Sequence, residues 1–200
     1  MNNYEYIVAS LPVVNQDNPS GLDVDAIIEE IREQLSSSDR SLLDLFLKGY
    51  DQDSLGRDFY LQTRSSGNRF IRDFFNLDLA VRNARVAYIN SNLGRPESQD
   101  IVILDEEGQA EEEICSGLDE ILRDSDILRK ERAMDNYIFA RIDEMSCFDL
   151  FNLNFILATV AKLKIVQRWI KLDPVEGEKM FREMVGRIRS TYDNKKQHYI

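Results

Sequence analysis

The chain is poor in the side chains that carry soft-metal and nucleophilic chemistry. It has one histidine, His198, and two cysteines, Cys115 and Cys147. A lone histidine builds neither a His-based metal site nor a Ser-His-Asp set. The cysteines stand singly, without C-x-x-C spacing, so they carry no zinc or redox signature. So few cysteines fit a reducing cytoplasm. Cys147 adjoins an apolar run and is expected to pack as a small hydrophobe. The sequence holds no G-x-x-x-x-G-K-[ST] and no G-x-G-x-x-G, hence no ready phosphate cradle. It also lacks the E-x-x-H pattern of di-metal bundles. Glu106, Glu107, Glu111, Glu112 and Glu113 match no calcium loop and read as solvated surface. No catalytic, cofactor-binding or metal-binding residue is expected.

Long apolar runs are missing too. The longest charge-free stretch is Leu150 to Ala161. That falls short of the roughly 20 residues a spanning helix needs, and it reads as a buried helix. The N-terminus has no basic n-region, so no signal peptide is expected. Positive charge is in deficit: the net charge is −11. Such a chain is repelled by phosphate backbones and anionic head groups, and Lys195-Lys196 is too short a basic run to reverse that. No nucleic acid and no direct membrane insertion are expected. The apolar share is ordinary, so residues 1–200 are expected to form one domain with its own core.

Helices account for most of what is present. Ile27, Ile28, Ile31 and Leu35 share one face of a helix from about Asp23 to Leu35. Ser36-Ser37-Ser38-Asp39 ends it and caps the next, which carries Leu42, Leu43, Leu45 and Phe46. Asp51 to Arg64 reads as a helix weakened by Gly56. Arg69 to Asn92 is a long helix stopped by Gly94 and Pro96. Ser116-Gly117-Leu118-Asp119 resembles a capping box, and Ile127 to Met145 has Met134, Ile138 and Ile142 on one face. Ser146-Cys147-Phe148-Asp149 reads as a second capping box opening a helix to about Lys171. Asp173-Pro174 starts a last helix, striped by Phe181, Met184, Val185 and Ile188. Tyr4 to Val14 is compatible with a strand or a helical turn, and Ile101 to Leu104 with a strand or an extended segment. The fold class is mainly α: about eight helices in a bundle, with little or no β structure.

One word is repeated. Asp73-Phe74-Phe75-Asn76-Leu77 returns as Asp149-Leu150-Phe151-Asn152-Leu153, with four of five residues identical. The repetition implies two related helical units, about 51–95 and 126–171. Asn is a poor helix-interior residue, and a buried amide must be hydrogen-bonded. Asn76 and Asn152 are therefore expected to be buried and to tie each repeat helix to the one before it. For Asn152 the partner is expected between Asp135 and Arg141. Asp73 and Asp149 are expected near helix N-termini, where carboxylates are favoured. The two blocks should occupy equivalent points of their units.

Taken together, these residues resemble the repeat of a rotor subunit of V/A-type ATPases and ATP synthases, the one lettered C there and d in the eukaryotic enzymes. The features are D-x-x-N-L, Tyr60 before the first copy, Glu131, Asp135 and Tyr137 before the second, and the opening Tyr4-x-Tyr6-x-x-Ala9. Arg82, six residues after Asn76, completes the resemblance. The chain departs from that family in having two units where three are usual. Ala158 and Ser10 stand where arginines would be, and Pro12 follows the opening motif. The resemblance implies a shortened bacterial relative: a non-catalytic connector between the membrane rotor ring and the central stalk. Its partners would be rotary ATPase subunits. It would lie in the cytoplasm, peripheral to the inner membrane through those partners. A free-standing cytosolic helical adaptor is the alternative, and an enzyme with a carboxylate-lined cleft a third reading.

Overall fold

A computed structural model describes residues 2–16, 21–104, 117–172 and 182. Among the described residues there are eight α-helices, one 3-10 turn and no strand. The helices are α1 (Glu5–Ser10), α2 (Val24–Gln34), α3 (Ser37–Lys48), α4 (Arg57–Arg64), α5 (Arg69–Asn92), α6 (Leu118–Leu122), α7 (Ile127–Ser146) and α8 (Leu153–Ile170). The mainly helical reading therefore holds. The expected helix from Asp173, the carboxylates 106–113, Cys115 and His198 lie outside the described residues.

Side-chain caps set most of the starts. Asp23, Ser36, Asn68, Asp126 and Asn152 each accept a hydrogen bond from the backbone N–H three residues on, at 3.0–3.2 Å. Each such bond satisfies one of the orphan donors of a helix N-terminus. Gly56 does more than weaken its helix. It interrupts it, leaving a 3-10 turn at Gln52–Ser54 before α4 begins at Arg57. The opening segment resolves into the short helix α1, which ends ahead of Pro12. Residues 101–104 form no strand. Instead Asn83 of α5 clasps them, its amide nitrogen donating to the Val102 carbonyl (3.0 Å) and its amide oxygen accepting from the Val102 N–H (3.1 Å).

The frame is made by the three longest helices. α5 runs parallel to α8, and α7 runs antiparallel to both. Three links fix these directions: Asn68 to Asn154, Arg69 to the Met145 carbonyl, and Arg85 to Glu131. α5, with 24 residues, is about 36 Å long. One end of the frame, the near end, gathers the N-termini of α5 and α8 and the C-terminus of α7. The far end gathers the opposite termini. α4 packs along α5, α2 and α3 pack against α8, and α6 covers α5 and α7.

The main core is aromatic. Phe46, Phe59, Phe70, Phe74 and Phe75 meet with neighbouring ring centroids 4.9–6.0 Å apart, in tilted, edge-to-face or stacked pairs of the kind favoured by ring quadrupoles. Gly49 lets Phe75 in: a Cβ there would lie 2.2 Å from the Phe75 ring. A second, smaller cluster joins Leu77 and Val81 to Leu118, Leu122 and Met134.

The structure corrects four expectations. α8 starts at Leu153, not at Ser146. Ser146 closes α7, its hydroxyl donating to the Ile142 carbonyl at 2.8 Å. Cys147 is exposed, because it falls in the turn between α7 and α8. The third and fourth concern the two pentapeptides. Asp73 to Leu77 lie inside α5, whereas Asp149 to Asn152 precede α8. They are not at equivalent points of their helices; the residue of α5 that corresponds to Asn152 as a cap is Asn68. Asn76 is exposed on α5, so it is not a buried tie. Segments 51–95 and 126–171 each hold a packed helix pair, α4–α5 and α7–α8.

Candidate functional site

At the near end a polar knot joins the helix starts. Asp149, 8% exposed, accepts hydrogen bonds from Arg69 (2.7 Å), Asn152 (2.6 Å) and Asn154 (3.2 Å). Asn154 in turn accepts from Asn68 at 2.8 Å. The caps of α5 and α8 are thereby linked through buried side chains. Asn152 is half-buried and acts as the cap of α8 while its amide nitrogen holds Asp149. Asp149 lies in the turn three residues before the Asn152 cap, not in the first turn of a helix opened at Ser146 as expected. Asp73 is the fifth residue of α5, beyond its first turn.

Around this knot the surface is apolar. Phe148 is 92% exposed, and Leu150 and Phe151 are also exposed. Tyr4 fixes the N-terminal segment here, its N–H donating to the Phe151 carbonyl at 2.7 Å. The Tyr4 hydroxyl is buried against Asp39. Burial works against ionisation of Asp39, but hydrogen bonds from Tyr4, Asn2 and Ser36 prevail and hold its pKa below the usual carboxylate range. Tyr6, two residues on, is exposed. The far end repeats the theme with exposed Ile89 on α5, Leu93 just after it, Ile127 and Leu128 on α7, and Leu172 after α8.

Between the ends, α5, α7 and α8 enclose a cleft of about 270 Å³. Phe74, Leu77, Val81, Met134, Ile138 and Ile165 supply apolar walls. Arg82, Arg85, Lys164 and Arg168 supply four cations, against two carboxylates, Asp78 and Asp135. Asp78 accepts from Tyr60 and from Arg82, both at 2.8 Å on one oxygen. Burial pushes the pKa of Tyr60 up, and the negative charge of Asp78 pushes it further. Tyr50, on the cleft wall, is raised in the same way. For Arg82 burial acts downward, yet the bond and charge of Asp78 hold its pKa above the usual value. Glu131 takes two bonds from Arg85, at 3.0 and 3.1 Å. Asp135 is only 2% exposed. It is satisfied by Arg168 (2.6 and 2.7 Å) and by the Trp169 indole N–H (2.6 Å).

Of the residues quoted for sequence resemblance, Arg82 and Asp135 line this cleft, and Tyr60 and Glu131 bond to side chains that do. Sequence reading missed Asn68, Arg69, Asp78, Arg85, Asn154, Arg168 and Trp169. Two signals pointed toward some of them. Asp78 and Arg82 stand four apart on a helix, and Asp135 interrupts the apolar face of α7 between Met134 and Ile138. Among the described residues no group of three or more His, Cys, Asp or Glu is placed to hold a metal ion. None of their helices is long and apolar enough to cross a membrane.

The fold and these surfaces define a mainly helical protein whose polar side chains chiefly join helices. A family model described as protein of unknown function (DUF2764) matches residues 50–192, and the chain belongs to that family. The match takes in α4 to α8, and with them the knot and every residue lining the cleft. No curated protein and no solved structure matches the chain.

Proposed function

We propose that this protein is a non-catalytic connector of a V/A-type rotary ATPase, bridging the membrane rotor ring and the central stalk. The observation that carries the proposal is the presence of exposed apolar residues at both ends of one three-helix frame. A connector needs two interfaces held at a fixed separation. Phe148, Leu150 and Tyr6 mark one end and Ile127, Leu128 and Leu93 the other. Exposed apolar groups grouped in this way mark interaction surfaces, and the knot and the aromatic core make the intervening frame resistant to bending. The resemblance of Tyr4-x-Tyr6 and D-x-x-N-L to the rotor-connector family supports the same reading. Attachment to the membrane runs through protein partners, since the acidic surface disfavours anionic lipid.

Affinity purification of the tagged full chain from membranes tests this. The expected result is recovery of ring and stalk proteins of the ATPase. Loss of the protein should uncouple ATP hydrolysis from ion pumping while the catalytic head still hydrolyses ATP. Recovery of unrelated soluble partners alone, with pumping intact in a deletion strain, would leave the free-standing adaptor reading instead.

A further inference from the structure

The cleft combines apolar walls with hydrogen-bond donors that the helix frame leaves unused. Four cationic side chains line the cleft, and each has one carboxylate partner: Arg82 has Asp78, Arg85 has Glu131, Lys164 has Asp25 and Arg168 has Asp135. Asp78 and Asp135, the two acids of the lining, each have a further donor, Tyr60 and the Trp169 indole. The arginines are less fully used. Arg82 bonds through Nε, and Arg85 and Arg168 each bond through Nη2, leaving the other guanidinium nitrogens without an acceptor among the described residues. A guanidinium fork matches a carboxylate in two-point geometry. Next to these donors the wall is hydrocarbon, from Val81, Met134, Ile138 and Ile165.

We propose that this cleft binds a small organic acid, with its carboxylate on Arg82 and Arg85 and its apolar tail against Val81, Ile138 and Ile165. The apolar wall beside these donors suits the hydrocarbon tail of a medium-chain monocarboxylic acid. The proposal is independent of the rotor reading and concerns a different part of the surface from the apolar ends.

Titration of octanoate into the full chain, followed by NMR of isoleucine methyl groups, tests it. Acetate and octan-1-ol serve as the charge-only and tail-only controls. Octanoate should shift the Ile138 and Ile165 methyls and saturate, while neither control does so at the same concentration. The double substitution R82Q/R85Q should weaken octanoate binding about tenfold or more. These two arginines are the ones whose loss strands no acid, because Asp78 keeps Tyr60 and Glu131 keeps Arg168 at 3.6 Å. Should the variant fail to fold, the octanoate and octan-1-ol comparison on the native chain still decides. Absence of saturation, equal binding of octan-1-ol, or shifts confined to the helix ends would overturn the proposal.

Discussion

Asp73-Phe74-Phe75-Asn76-Leu77 and Asp149-Leu150-Phe151-Asn152-Leu153 are near-copies in sequence whose environments differ at every position but the last, Leu77 and Leu153 both being buried. In the first, the two phenylalanines enter the aromatic core, Phe75 at 2% exposure, and Asn76 faces solvent. In the second, Leu150 and Phe151 lie on the surface, while Asp149 is buried and Asn152 caps a helix. The first copy is inside a regular helix, so its faces follow the 3.6-residue period of α5. The second is a turn, where each residue takes its place from tertiary partners. A short word fixes chemistry but not orientation. Orientation comes from what precedes it, and Asn68 had already started α5 before Asp73 was reached.

The largest test of this contrast is truncation of the matched phenylalanines. F75A should lose about 3–5 kcal/mol of stability, whereas F151A should stay within about 0.5 kcal/mol. Urea unfolding of both variants measures the pair, and equal losses would break the comparison. The matched aspartates come next. D149A removes the acceptor shared by Arg69, Asn152 and Asn154 and should cost about 2–4 kcal/mol. D73A should change little, since Asp73 is half-exposed within α5.

A smaller effect sharpens the account of the first copy. G49A would drive a methyl group into the Phe75 ring, and about 1–3 kcal/mol is expected from such overpacking. Pairing it with F75A should relieve much of that loss, because the ring that clashes is gone. A double-mutant cycle reads the coupling, and strict additivity would show that Gly49 does not make room for Phe75. The smallest effects carry the clearest sign change. N152A removes a cap and should cost about 1 kcal/mol. N76A replaces an exposed helix-interior Asn by the best helix former and should gain a few tenths, up to about 0.5 kcal/mol. Thermal melts of the two variants should therefore move in opposite directions.

Helices announced themselves in the sequence wherever period and cap agreed. α2 and α3 follow from apolar spacing with Asp23 and Ser36 at their starts, and α5 was bounded correctly from Arg69 to Asn92. The start of α8 was not legible, because Ser146 and Asn152 are both competent caps. What selects Asn152 is the bond network of Asp149 with Arg69 and of Asn154 with Asn68, residues far apart in the chain. The cleft was hidden for the same reason. Its cations come from α5 and α8 and its buried acid from α7, and each residue alone looks like part of a solvated helix face. The repeated pentapeptide was conspicuous because it is a string, and strings are a one-dimensional signal. Asn68 and Asn152, the caps that do correspond in space, share no such string.

Trp169 gives the protein a built-in optical marker. It is the single tryptophan of the chain, and its indole N–H donates to Asp135 while Arg132 lies 4.1 Å from its ring centre. Its fluorescence therefore reports one locality, the far end of the α7–α8 pair, and is blind to the knot at the near end. In rapid-mixing experiments the emission dates the release of that one end. Exchange of the Phe155 amide, which donates to the Asn152 cap, dates the other, and any gap between the two clocks shows the order in which the frame comes apart.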